Sequence, residues 1–208
     1  MYIVGNIDEI VAKLKQQKKA EEKNKINEKT CEVKKTEDKK AILKKVIEEI
    51  KDGDVNLNGK KFKFKKQLFL GGKIEFPIPM AYFEERVNDS NTLVLVNDPL
   101  GISLTFSYVG KGAIEQSFDE FKAGMEKGFK DMELSLEWLE SGECGKGNSK
   151  ISYGTYKTPT GKGDMYNAII YRERKGTLIV GNYNCFYKDL KVWEYLIKGS
   201  IMSMKVNQ

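Results

Sequence analysis

The sequence predicts an α+β fold: one antiparallel sheet of about six to seven strands, two covering helices and an N-terminal charged helical extension. Composition changes near residue 55, since residues 56–208 hold 21 of the 22 aromatic residues, 17 of the 19 glycines and all four prolines. Several short runs in that second segment alternate polar and apolar residues, as half-buried strands do. We therefore expect a charged helical arm or partly disordered extension over residues 1–55 and an α+β domain over residues 56–208.

The predicted arm holds 14 Lys against 12 Asp and Glu, with one aromatic residue. Its apolar residues form two stripes at helical spacing. They are Ile7, Ile10, Val11 and Leu14, then Ile42, Val46, Ile47 and Ile50. Four apolar anchors are too few to stabilise an isolated helix in water. The stripes therefore pack on each other, fold back on the chain's own domain or bind a partner protein, unless the arm is disordered. The partner-binding interpretation makes these eight residues the predicted contact surface.

Alternation and turn residues predict the strands of the second segment in order. Phe62 and Phe64 alternate with lysines, and Pro77 and Pro79 lie in a run that follows a Gly-Gly turn. Further strands are expected over residues 92–96, 102–108, 134–138, 149–157, 164–173 and 177–186.

Two apolar stripes at helical spacing predict the covering helices. The first is Ile114, Phe118, Phe121, Met125 and Phe129, with Ser117 as candidate N-cap before Asp119 and Glu120. The second is Leu190, Trp193, Leu196, Ile197, Ile201 and Met204. Strands, helix, strands and helix then follow one another along the chain.

The segment at residues 68–80, Leu-Phe-Leu-Gly-Gly-Lys-Ile-Glu-Phe-Pro-Ile-Pro-Met, resembles the opening of PsbP/DcrB-like domains. The order of the remaining elements agrees over about residues 60–206. That superfamily includes the photosystem extrinsic protein PsbP, a Ran-binding nuclear import factor, the DcrB proteins and the adaptor chaperones of type VI secretion. The resemblance implies a module that binds other proteins through its sheet face and adjoining loops, and it carries no catalytic motif.

The chain has no histidine, which excludes a Ser-His-Asp triad, a Cys-His dyad and a His-ligated zinc within it. Cys31, Cys144 and Cys185 are too sparse for a disulfide framework, although one bridge between Cys144 and Cys185 stays open. Without histidine, a nucleophilic Cys144 would need a nearby lysine such as Lys146 to stabilise its thiolate. We predict no catalytic, cofactor-binding or metal-binding residues.

A basic patch at Lys61, Lys63, Lys65 and Lys66 is the candidate nucleic-acid surface. Phe62 and Phe64 are expected to point inward, so they would not stack on bases. The chain also has only three arginines, the residue that makes most base-edge contacts. A Lys-rich edge strand that resists aggregation is the alternative explanation.

The leading functional hypothesis is a non-catalytic protein-binding module. It would be an adaptor, a chaperone or a subunit of a larger bacterial assembly, such as a secretion or contractile tail-like machine. The alternatives are a small-molecule or lipid-binding module with a sheet–helix pocket, and a weak nucleic-acid binder through the Lys-rich strand. The start of the chain lacks signal-peptide features, and no apolar run is long enough to span a bilayer, which indicates a cytoplasmic protein.

Overall fold

A computed structural model describes residues 37–207. They form three α-helices: α1 over residues 37–52, α2 (Phe118–Asp131) and α3 (Leu190–Met202). Eleven strands accompany them: β1 (Asp54–Leu57), β2 (Lys60–Phe69), β3 (Ile74–Pro79), β4 (Glu84–Asn88), β5 (Thr92–Asn97), β6 (Ile102–Val109), β7 (Glu137–Cys144), β8 (Ile151–Thr158), β9 (Met165–Arg174), β10 (Thr177–Phe186) and β11 (Lys205–Val206). The α+β class is confirmed.

The larger sheet has seven antiparallel strands in the order β4-β5-β6-β10-β9-β8-β7. Its register aligns Ile179 of β10 with Tyr108 of β6 on one side and with Arg172 of β9 on the other. Directly opposed residues of antiparallel strands share a face, so these three side chains form one cross-strand row. The row lies near the end of the sheet that carries the β9–β10 turn.

The remaining strands form a second sheet in the order β1-β2-β3-β11, also antiparallel. The sequence predicted a single sheet, so the strand pairing differs from that expectation. The lysine-bearing strand β2 pairs with both β1 and β3. Strand β1 pairs only with residues 60–63, so the half of β2 that carries Lys65 and Lys66 pairs with β3 alone. The explanation of the basic patch as a Lys-rich edge strand therefore stays a prediction.

Aromatic side chains join the two sheets and α3 into one core. The ring of Phe76 on β3 lies 5.3 Å from Phe106 and 6.3 Å from Tyr183 of the larger sheet. Trp193 of α3 completes the cluster at 6.4 Å from Tyr183. The predicted stripe of α3 is buried as expected, including Leu196, Ile197 and Ile201. The Phe76–Phe106 pair is edge-to-face, and such ring pairs add to the free energy gained by burial.

Helix α2 packs on the larger sheet through two aromatic side chains. The ring of Phe121 lies 4.8 Å from that of Tyr171, and the ring of Phe129 lies 6.4 Å from that of Tyr156. The predicted cap is confirmed: the Ser117 hydroxyl accepts from the Glu120 amide at 3.2 Å, and Glu120 accepts from the Ser117 amide at 2.7 Å. This reciprocal capping box begins the helix at Phe118. Ile114, predicted as part of the stripe, precedes the helix and is exposed.

The domain boundary expected near residue 55 stays a prediction. A compact unit extends over Leu43–Gln208. There, Val46 and Ile50 of α1 are buried in the core, and a Cβ at Gly199 of α3 would approach Ile50 Cδ1 to 2.8 Å. Glycine at position 199 thus permits the close packing of α1 against α3.

Candidate functional site

A cleft of about 400 Å³ opens at the end of the larger sheet that carries the β9–β10 turn. Its floor includes Tyr108, Ile179 and Val206, from strands of both sheets. We call it the cationic cleft, after the residues that line it: Lys73, Tyr108, Lys111, Arg172, Arg174, Lys175, Thr177, Ile179, Val206 and Asn207.

Five of these ten lining side chains are cationic, and no Asp or Glu is among them. They come from three separate parts of the chain. Lys73 follows the β2–β3 turn, Lys111 follows β6, and the others lie on the β9–β10 hairpin. We call Lys111, Arg172, Arg174 and Lys175 the rim cations. Only the folded register brings this positive charge together.

The β9–β10 hairpin holds its cations on a well-defined turn. Lys175 and Gly176 both have positive φ, at 52° and 69°, as a two-residue hairpin turn of the primed type requires. The Thr177 hydroxyl donates to the Arg174 carbonyl at 2.7 Å, and the Gly176 amide donates to Glu173 Oε1 at 3.1 Å. The one carboxylate of the hairpin is therefore bonded to the turn backbone.

Lys73 is fixed in the wall of the cleft. Its Nζ donates to the carbonyls of Leu70 at 3.0 Å and Ser90 at 2.8 Å, and lies 4.5 Å from the centre of the Tyr108 ring. Asn207 holds the adjoining wall through an amide-to-Lys73 carbonyl bond of 2.8 Å. A positive charge that is already held in place loses little conformational entropy when a ligand arrives.

The cations of the cleft crowd one another. Burial, and then the positive charge of Arg174, lower the pKa of Arg172, and the carboxylate of Glu173 offsets part of that effect. Within residues 37–207, Arg174, Lys111 and Lys175 have no carboxylate within ion-pair distance. Arg86 differs, because it pairs with Glu84 at 3.0 Å and Asp98 at 3.2 Å. The cleft thus concentrates positive charge that a negatively charged group would compensate.

A second recess of about 290 Å³ shares Arg172 and Arg174 with the cleft. It is mixed in charge, since Glu143 and Glu173 also line it. Glu143 is already paired with Lys150 at 2.8 Å. The recess is thus lined by three cationic side chains against two carboxylates, whereas the cationic cleft is lined by five cationic side chains and no carboxylate.

The sequence did not single out the rim cations. Two of the three arginines lie within the run Tyr-Arg-Glu-Arg-Lys-Gly at residues 171–176. The sequence pattern predicts only a strand and a turn for this run. Alternating arginines at a strand end place both guanidinium groups on one face, and that pattern is the local signal that could have indicated them.

The sequence-predicted basic patch lies elsewhere. Lys61, Lys63, Lys65 and Lys66 are all exposed on β2, while Phe62 and Phe64 are buried. Their role in nucleic-acid binding stays a prediction.

The predicted partner-binding stripes are only partly described. Ile7, Ile10, Val11 and Leu14 lie outside residues 37–207. Of the second stripe, Ile42 is exposed, Ile47 is half-buried, and Val46 and Ile50 are buried. Val46 and Ile50 therefore pack in the core of the chain itself and are not exposed to a partner.

The two described thiols are free, so the bridge left open between Cys144 and Cys185 is absent. Burial raises the pKa of Cys144 to about 11 and is the main cause that raises that of Cys185 to about 12. Both are therefore protonated near neutral pH and poor nucleophiles. Among residues 37–207, no group of three or more Cys, Asp or Glu side chains is placed to hold a metal ion.

A partly buried ionic cluster ties α3 to the edge strand β7, with Lys198 buried and Glu140 exposed. Lys198 Nζ lies 2.6 Å from Glu194 and 2.9 Å from Glu140. Burial alone would lower the pKa of Lys198, but hydrogen bonds to the two carboxylates outweigh it and raise that pKa. The charges satisfy one another, which indicates a structural role.

None of the described helices is both long and apolar enough to cross a membrane.

No protein-family model matches the chain, and no curated protein matches it. Among solved structures, the solution structure of cyanobacterial PsbP (CyanoP) from Synechocystis aligns with a TM-score of 0.52 at 11% identity, covering 69% of this chain and 92% of that one. The PsbP-like fold expected from residues 68–80 is thereby confirmed.

Two further structures align less closely. PA94 from Pseudomonas aeruginosa, a protein of unknown function, has a TM-score of 0.43 at 12% identity over 70% of this chain and 97% of that one. A protein from Bacteroides thetaiotaomicron has a TM-score of 0.42 at 11% identity over 69% of this chain and 48% of that one.

Proposed function

We propose that this chain of PsbP-like fold is a non-catalytic binding module that takes an anionic ligand into its cationic cleft. The observation that carries the proposal is the convergence of five cationic side chains, from three parts of the chain, on a cleft with no acidic lining residue. Structural stability does not call for such crowding, because like charges close together repel. Groups that cost stability in the free protein are expected at sites where a ligand compensates them.

Binding without catalysis fits the side chains at hand. The chain contains no histidine, the usual general base, and both described thiols are held protonated. Lysine and arginine donate hydrogen bonds and supply charge, which suits recognition of carboxylate or phosphate oxygens.

Thermal unfolding of the full chain tests this function. Sulfate, phosphate and citrate are compared with chloride at equal ionic strength, since a ligand that binds only the folded state raises the unfolding temperature with concentration. We expect the multivalent anions to raise it and Arg174→Gln to reduce that rise. Lys162→Gln is the matched control, because Lys162 is exposed in the β8–β9 turn, at the opposite end of β9. Equal responses to all four anions would contradict the proposal.

Docking onto a partner protein is a second candidate, in keeping with an adaptor, a chaperone or an assembly subunit. The observation that favours it is a group of exposed apolar side chains around the end of α2 and the start of β7. Met132 is 61% exposed, Leu134 51% and Leu139 40%. Water-exposed apolar groups that lie close together are typical of docking surfaces.

The partner candidate is tested by co-purification from the native host with the full chain, with a chain lacking residues 1–36, and with Leu134→Glu. Leu68→Glu, on exposed β2, is the matched control. A stoichiometric partner lost with Leu134→Glu but kept with Leu68→Glu would support this surface. Loss only on truncation would assign the contact to residues 1–36 instead. A partner retained by every variant would exclude both surfaces.

A further inference from the structure

We infer that the ligand of the cationic cleft is an organic diphosphate, in which two linked phosphoryl groups meet the rim cations and an apolar body lies on the cleft floor. This inference rests on the proposed anion-binding function and names the chemical class of its ligand.

Charge is the first argument. The four rim cations and the fixed Lys73 place five positive charges around one cleft. A carboxylate supplies one negative charge, and a phosphate monoester supplies about 1.5 to 2 near neutral pH. Two linked phosphoryl groups supply about three, and so approach the charge of the rim more closely. A single carboxylate would leave most of the repulsion among the cations in place.

Geometry is the second argument. Arg172 and Arg174 are two residues apart on β9, so they leave the same face of the strand about 7 Å apart. A guanidinium binds two oxygens at once through parallel N–H groups, and phosphoryl oxygens match that geometry. At this spacing each arginine can take a different phosphoryl group, while Lys111 and Lys175 act as point charges beside them.

The floor of the cleft is the third argument. Tyr108, Ile179 and Val206 line it, and about 400 Å³ lies within the range of sites for organic ligands. A bare inorganic ion would leave most of that volume to water, and the apolar floor unused. An apolar body attached to the anion would displace that water and cover the half-buried Tyr108 ring, which is the accessible part of the floor because Ile179 and Val206 are only 2% and 7% exposed.

The inference is tested by calorimetric titration of the full chain at fixed ionic strength with four probes. They are inorganic pyrophosphate, geranyl diphosphate, citrate and a hexaglutamate peptide. The first two share a headgroup and differ in the apolar chain, whereas citrate matches pyrophosphate in charge but offers carboxylates. We expect pyrophosphate to bind at least tenfold more tightly than citrate or hexaglutamate, and geranyl diphosphate at least fivefold more tightly than pyrophosphate.

Variants then locate the site. Arg174→Gln is expected to weaken both diphosphates at least tenfold, and the control Lys162→Gln to change their affinity less than twofold. Citrate or hexaglutamate binding as tightly as pyrophosphate, with loss in Arg174→Gln, would overturn the diphosphate assignment and leave the anion-binding function standing. No binding by any probe would overturn both. Equal affinity for the two diphosphates would overturn the claim that an apolar body lies on the floor. Diphosphate binding that Arg174→Gln leaves unchanged would show that the ligand binds outside the cationic cleft.

Discussion

Neutralising Arg174 is expected to stabilise the unliganded protein while it weakens anion binding. Arg172 and Arg174 leave one face of β9 about 7 Å apart. Two unit charges at that distance repel by about 0.6 kcal/mol in water and about 2.4 kcal/mol at an effective dielectric constant near 20. Screening at physiological salt roughly halves these values. Because Arg174 is half-buried, we expect Arg174→Gln to raise the free energy of unfolding by about 0.5–1 kcal/mol.

The assay is thermal and urea unfolding of the wild-type chain, Arg174→Gln and Arg86→Gln. A gain of this size corresponds to a rise of about 1–4 °C in the unfolding temperature of Arg174→Gln. Arg86 provides a control of opposite sign, because it pairs with Glu84 and Asp98 on the surface. Its neutralisation should lower the free energy of unfolding by up to about 1 kcal/mol. If Arg174→Gln were less stable than the wild type by as much as Arg86→Gln, the argument from charge crowding would be refuted.

Three further predictions concern the core. Gly181→Ala should destabilise the domain by about 1–3 kcal/mol in urea unfolding, because its Cβ would overlap the ring of Phe106, whereas an unchanged midpoint would mean that the ring can move aside. Lys198→Met should lower the free energy of unfolding by about 2–3 kcal/mol in the same assay, because two carboxylates lose their buried partner. A variant as stable as the wild type would show that water replaces the ammonium group of Lys198. Raising the pH from 7 to 11 tests Cys185, whose pKa rises from 9.0 to about 12 on folding. As the pH rises, the thiol ionises in the unfolded chain before it does in the folded protein. The contribution of Cys185 to the free energy of unfolding is therefore fully present below pH 9, and it falls by up to about 1.4 kcal/mol per pH unit as the pH rises toward 12. The unfolding free energy measured in the Cys185→Ala chain should therefore fall less steeply over that range, and parallel curves would contradict the assignment.

Local patterns predicted the parts of the fold that local interactions determine. The alternation over residues 102–108 became β6, with Leu104 and Phe106 buried between half-exposed polar residues. Ser117 was expected as the N-cap of α2 and forms the full capping box. In each case the physical cause lies within a few residues of the chain, so sequence alone could indicate it.

The second sheet depended on contacts that the sequence does not display. Strand β11 has two residues, and it exists because Val206 pairs with Ile74 from the far end of the chain. Strand β1 crosses the boundary predicted at residue 55, and its two buried residues, Val55 and Leu57, are too short a pattern to indicate a strand. Pairing of this kind is decided by the assembled core rather than by local propensity.

The cationic cleft escaped prediction for a related reason. Lys73, Lys111 and Arg174 are far apart in the sequence. Lys111, which follows β6, and Arg174 on β9 come close only because β10 pairs with both β6 and β9. The basic cluster that composition did reveal, on β2, is instead a run of exposed residues with no such convergence. Charge density along a chain and charge density in space are different quantities, and the site depends on the second.

Amide chemical-shift mapping of the ¹⁵N-labelled chain during titration with pyrophosphate tests the central claim most directly. If the cationic cleft binds the anion, the largest saturable shifts will fall at Lys73, at Lys111, over residues 172–177 and at Asn207, which line one cleft from distant parts of the sequence. They will disappear in Arg174→Gln and persist in Lys162→Gln. Shifts concentrated on Lys61–Lys66 of β2, or scattered over the lysines in proportion to exposure, would contradict the account.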